Sequence, residues 1–171
     1  VTGVQTCALP ILRQICCDPS TFIEDYNGGS GKMEALDEIL GNSLEEGHRI
    51  LIFSQFTRVL KNIASMLDAK GLDYMYLDGS TKAEKRVKMV KDFNEGESRI
   101  FLISLKAGGT GINLTGADMV IHFDPWWNPA VEAQATDRAH RIGQKKTVEV
   151  IKLIARGTIE EKIFKDRKSH V

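Results

Sequence analysis

The chain has 171 residues, 42% hydrophobic and 27% charged, the proportions of one folded domain rather than of a disordered, collagen-like or disulfide-framed chain. With 23 Lys+Arg against 23 Asp+Glu, it is not a uniformly basic nucleic-acid binder, though a basic face balanced elsewhere stays open. No apolar run approaches the roughly 20 residues of a membrane span, and Cys7, Cys16 and Cys17 lack a Cys-x-x-Cys spacing, which suits a reducing compartment and suggests no metal site.

In chain order, the opening Val1–Ile11 resembles a translated short-read sequencing adapter and is expected to lie outside the fold. Residues 166–171 are similar to the opposite strand of the same adapter, or else begin a truncated extension. Between them, residues 12–31 read as a linker and preceding segment, and 32–165 as the domain. Met33, Leu36, Ile39 and Leu40 recur at helical spacing, and Arg49–Ser54 is a short apolar, β-rich run. A second helix through Val59, Leu60, Ile63, Met66 and Leu67 closes at Gly71, and Tyr74–Leu77 is a second strand. Thr81 and Glu84 have capping-box spacing for a third helix through Val87, Val90 and Phe93, followed by a strand at Arg99–Ser104.

After a glycine-rich stretch, Met119–Phe123 reads as a fourth strand. Asn128 and Pro129 start a helix running toward His140, Thr147–Ile154 forms a fifth strand, and Thr158 with Glu161 caps a last helix. Strand–helix repetition implies right-handed crossovers and a mostly parallel sheet covered on both faces. Such sheets bind ligands beyond the carboxyl ends of their strands, so the loops after Ser54, Leu77, Ser104 and Phe123 should share one edge.

Gly28–Met33 is not a Walker A loop: Tyr26 stands where glycine is required and Met33 where Ser or Thr is. It reads as a flexible linker, with Lys32 either solvated or touching a phosphate. Gly108, Gly109 and Gly111 leave a strand with Lys106 and Thr110 beside them, either as a tight turn or as backbone amides aimed at an anion. Gln134, Arg138 and Arg141 have the i, i+4, i+7 spacing of one helical stripe. That stripe is either a solvated face, with Glu132 and Asp137 as surface carboxylates, or a row of cations for a transferring phosphoryl group. Trp126 and Trp127 are adjacent, and two neighbouring indoles do not easily both point inward, so one is available for stacking. His122 and His140 read as structural.

Taken together, Ile50–Phe56, Tyr76–Ser80, Ser104–Leu114, Asp124–Pro129 and Asp137–Gln144 closely resemble, in order and spacing, the C-terminal helicase lobe of SWI/SNF-type DNA translocases of helicase superfamily 2. The resemblance implies a RecA-like three-layer α/β domain of the P-loop NTPase type without its own Walker A. It implies ATP-driven tracking on double-stranded DNA, with Arg141 and Arg138 as catalytic cations and Gln134, Gly109, Gly111 and Asn113 on the nucleotide side. Ser54, Gln55, Gly79, Ser80, Lys106, Ala107, Gly108 and Trp127 would face DNA.

The resemblance further implies ATP and Mg²⁺ as cofactors, the metal held mainly by an N-terminal RecA-like lobe of the same polypeptide that this sequence lacks. A DNA-bound protein complex is a further implied partner, and no membrane is. Short loops are similar to those of bacterial members, implying a nucleoid-associated bacterial protein, with a nuclear remodeller as the alternative. A binding module without ATP turnover, or a purely structural domain, are the rival readings.

Overall fold

The computed structural model describes residues 3–108, 111–126, 128–139 and 146–168. Five strands form one sheet in the order β2-β3-β1-β4-β5, with β1 Ile50–Ser54, β2 Met75–Leu77, β3 Ile100–Ser104, β4 Met119–His122 and β5 Glu149–Lys152. Every pairing is parallel, so the parallel sheet expected from strand–helix repetition, and the RecA-like α/β class that the resemblance implies, are what the chain adopts.

Parallel strands buried on both faces read as unbroken apolar runs, and all five positions of β1 and of β3 are buried. The pleat then sorts them. Ile50, Ile52, Ile100 and Leu102 pack with Leu36 and Leu40 of α2 (Gly31–Glu45) and with Val59, Leu60, Ile63 and Leu67 of α3 (Thr57–Ala69). Leu51, Phe53, Phe101 and Ile103 face the other way, against Phe93 of α4 (Ala83–Glu95), Leu105 of the short α5 (Leu105–Gly108) and Ala135 of α6 (Pro129–Thr136). At roughly 1.5–3 kcal/mol per fully buried large aliphatic or aromatic side chain, these two layers dominate the stability.

Several expectations are corrected. Residues 3–17 form a helix, α1, and a one-turn 3-10 helix follows at Pro19–Thr21, so the stretch read as linker is partly helical and ends with Cys17 in the core. Lys32 is neither solvated nor positioned for a phosphate, because it is buried and paired. Thr81 does not cap α4: the cap position is Lys82, and the Thr81 hydroxyl instead accepts the Asp78 amide. Val87 is 71% exposed, so the buried side of α4 is carried by Phe93, with Val90 and Met89 packed beside it.

The Asn128 cap forms as expected, its side chain accepting the Ala130 amide, but α6 ends at Thr136 with Asp137 as its cap. Of the expected stripe of Gln134, Arg138 and Arg141, only Gln134 therefore lies within α6. Gln134 is exposed, Arg138 lies in the following turn with its side chain buried, and Arg141 falls outside the described residues. At α7 (Ile159–Lys168) the Thr158 hydroxyl accepts the Glu160 amide, and Glu161 reaches back to the Gly157 amide.

Candidate nucleic-acid and nucleotide interface

The carboxyl ends of β1, β3 and β4 lie side by side, with Ser54 opposite Ser104 and Phe53 opposite His122. The chain leaves each strand at that edge, which gathers the loops the sequence marked. Gln55, Lys106 and Trp126, each from the segment that follows a different strand, line one cleft of about 460 Å³ together with Gln14, Thr57 and Arg58. An exposed lysine, a side-chain amide and a half-buried indole in one concavity can hold a phosphate and stack on a sugar or base.

The loop after β4 is fixed from several sides. Asp124, 1% exposed, accepts the Ser54 hydroxyl and the Gln55 amide, the latter at 3.3 Å to each carboxylate oxygen. Glu132 of α6 accepts the Trp126 amide at 2.6 Å and the Lys152 ammonium at 2.8 Å; it is buried, not the surface carboxylate expected of a solvated helix. Arg13 of α1 donates to the Pro125 carbonyl. Below Asp124, Lys32 donates to the Phe123 carbonyl at 2.8 Å and pairs with Glu160 at 2.5 Å. Glu160 also accepts the Ala155 amide at 2.9 Å and the Cys17 thiol at 3.4 Å.

Burial pushes the Asp124 carboxyl up to about 6, against the opposing pull of the Ser54 hydroxyl and the Lys32 charge. Burial, with Asp124 next in weight, raises the Cys17 thiol well above its ordinary range, which makes it a packing residue rather than a nucleophile. His122 is buried, stacked on Phe53 at 5.7 Å and within 3.1 Å of the Thr136 hydroxyl, in keeping with a structural role.

Of the residues expected to face DNA, Gln55 and Lys106 reach the cleft. Ser54 does not: it is fully buried and its hydroxyl is given to Asp124. Ala107 is also buried, in the core behind the loop. Gly79 and Ser80 are exposed at the end of β2, where the Ser80 hydroxyl donates to Asp78 at 2.6 Å. Gly108 ends α5; Trp127 and Gly109 lie outside the described residues, as do Thr110, His140 and Gln144.

Near the residues expected to face a nucleotide, the Leu114 amide donates to the Arg138 carbonyl at 2.8 Å, tying the segment of Gly111 and Asn113 to the turn after α6. Gly111 has φ +64, a left-handed conformation that glycine adopts without strain. Asn113 is exposed, its carbonyl accepting from Asn94 at 2.9 Å. Arg138 is 3% exposed. Among the described residues no group of three or more His, Cys, Asp or Glu side chains could hold a metal ion, so they offer Mg²⁺ no cage of their own.

Sequence reasoning gave Asp124 no role of its own and read Glu132 as a surface carboxylate, since their partners come from other elements, and it passed over Thr57 and Arg58, which the first turn of α3 brings to the cleft. Their signal was faint but present: an aspartate directly after an apolar strand, and a glutamate on the otherwise alanine-rich α6.

Residues 31–143 match the family described as helicase conserved C-terminal domain. The chain is 45% identical over 153 residues to an uncharacterized ATP-dependent helicase of Mycoplasma pneumoniae, covering 89% of this chain and 15% of that protein. It is 50% identical over 147 residues to the mouse SWI/SNF-related matrix-associated actin-dependent regulator of chromatin subfamily A member 1, covering 85% and 14%. The crystal structure of the C-terminal part of the Fun30 ATPase domain superposes with a TM-score of 0.78 at 39% identity, covering 91% of this chain and 53% of that one. The chain thus spans about a seventh of the length of these two curated relatives. With comparable identity to a bacterial and a mouse protein, the short loops do not single out a bacterial source.

Proposed function

Because the chain belongs to the helicase conserved C-terminal domain family and is a C-terminal lobe of the SWI/SNF type, we propose that it is the second motor lobe of an ATP-dependent translocase on double-stranded DNA. The observation that carries this is the meeting of Gln55, Lys106 and Trp126 in one cleft at the carboxyl edge of the sheet. These residues grip the DNA backbone, together with Trp127, Gly108 and the exposed Gly79–Ser80 turn. Gly109, Gly111, Asn113 and Gln134 line the nucleotide side, opposite an N-terminal RecA-like lobe that holds most of the ATP and the Mg²⁺.

Arg141 acts as the arginine finger, with Arg138 beside it. ATP draws the lobes together, Arg141 stabilises charge on the transferring phosphoryl group, and release after hydrolysis lets the lobes step. The Arg138 carbonyl, bonded to the Leu114 amide, ties the turn after α6 to the segment of Gly111 and Asn113. The isolated lobe turns over almost no ATP, since it contributes half of a site.

The test joins this chain to the N-terminal lobe of a relative and measures ATP turnover with and without duplex DNA. DNA-stimulated turnover is expected in the fusion and absent from this chain alone. Arg141→Ala should lower it about 10³–10⁵-fold, the range for removing a finger, with DNA affinity unchanged. Turnover indifferent to Arg141→Ala would refute the finger assignment, and an inactive fusion that still binds DNA would favour a binding module.

A further inference from the structure

A buried polar centre lies directly beneath the DNA-facing cleft and joins elements far apart in the chain. Cys17 of α1 and Lys32 of α2 both meet Glu160 of α7, Lys32 also holds the Phe123 carbonyl, and the next residue, Asp124, takes both the Ser54 hydroxyl and the Gln55 amide. Asp124 touches no solvent, so it is not itself a ligand for DNA. Its two donors are the last residue of β1 and the first residue of the loop that enters the cleft.

We propose that Asp124 is a positioning residue for DNA binding, one that locks the Gln55 loop against the Trp126 loop so that both present to a phosphodiester backbone in a fixed geometry. The proposal rests on the DNA-facing reading of that cleft. A carboxylate accepting several donors holds them more tightly than a neutral amide or acid does, because the bonds are charge-assisted. Burying it costs stability unless the compensation is complete. Here the neighbouring ammonium, Lys32, is itself paired to Glu160. A stability cost retained at the base of a binding cleft is the pattern of a functional position.

The charged or titratable groups facing Asp124 are Lys32 from α2 and Cys17 from α1, and both of them meet Glu160 of α7 behind it. Since burial brings its carboxyl up to about 6, the carboxylate is formed at pH 7.5 and largely lost at pH 5.5. The locked state should follow the carboxylate.

The test is fluorescence anisotropy of a labelled duplex DNA titrated with this chain and with Asp124→Asn, at several salt concentrations, at pH 7.5 and pH 5.5. At pH 7.5 the variant should bind about 5–10-fold more weakly, the effect of exchanging a charge-assisted hydrogen bond for a neutral one. At pH 5.5 the gap should narrow, because the parent carboxyl is then mostly protonated. Equal affinities at both pH values, or a gap that does not change with pH, would overturn the proposal. Ser54→Ala, which removes a donor and keeps the acid, should also weaken binding at pH 7.5. If Asp124→Asn fails to fold by circular dichroism, a folded Ser54→Ala with unchanged affinity overturns it instead. Absence of salt-dependent binding by the parent chain would remove the DNA reading and this proposal together; binding by the parent with indistinguishable variants removes this proposal alone.

Discussion

Two serine–aspartate pairs stand at the carboxyl edge of the sheet, and they differ in nearly everything but their chemistry. At the end of β1, Ser54 donates to Asp124 in the dry interior. At the end of β2, Ser80 donates to Asp78 in an exposed turn, with its amide adding a second bond at 2.9 Å. The carboxyls shift in opposite directions. Burial lifts Asp124 to about 6, whereas the Ser80 hydroxyl, acting where burial is slight, holds Asp78 below its ordinary range. The same bond therefore reports two roles: a local turn near β2, and at β1 a tie between distant elements that carries an electrostatic cost.

The largest effect expected from breaking this contrast is at the compensating layer under Asp124. Lys32→Ala leaves Glu160 buried without its cation, and should cost about 3–5 kcal/mol in urea unfolding. Asp124→Asn tests the cost itself. A carboxyl raised from 3.8 to about 6 in the folded state binds more protons folded than unfolded between those values. The parent therefore loses stability as pH rises through that window, by about 3 kcal/mol. The variant lacks this dependence, so its stability relative to the parent should improve from pH 4 to pH 7.5; parallel pH profiles would contradict the burial argument.

Ser54→Ala, which leaves a buried acceptor short of a donor, should cost about 1–3 kcal/mol at neutral pH. Ser80→Ala, at the exposed pair, should change stability by no more than about 0.5 kcal/mol. A large loss at Ser80 would mean the β2 turn is more than local. For Asp78 the sign is reversed: a lowered carboxyl contributes stability at neutral pH that disappears as the medium is acidified through its folded value.

The sheet was legible because β1 and β3 are continuous apolar runs, which only a strand covered on both faces requires, and because Asn128 and Thr158 cap helices through bonds made within a few residues. Local signals failed where a distant group claimed the side chain. Thr81 had the spacing of a cap, but the Asp78 amide reaches its hydroxyl. Lys32 looked like a linker lysine because nothing near it in the chain announces Glu160. Gln55 and Lys106, which the resemblance turns toward DNA, line the cleft, whereas Ser54, turned the same way by the resemblance, is buried. Position after a strand names the edge but not which way the last side chain points, and the pleat turned Ser54 inward.

The strand order also governs how the chain can be made. Of the five described strands β1 comes first in the chain yet sits at the centre, and neither of its neighbours, β3 and β4, follows it directly. Its backbone donors and acceptors stay unmatched on one side until Ile100–Ser104 has emerged, and on the other until Met119–His122 has. A ribosome stalled before His122 would thus hold out an apolar strand with an open edge, a ready template for another chain.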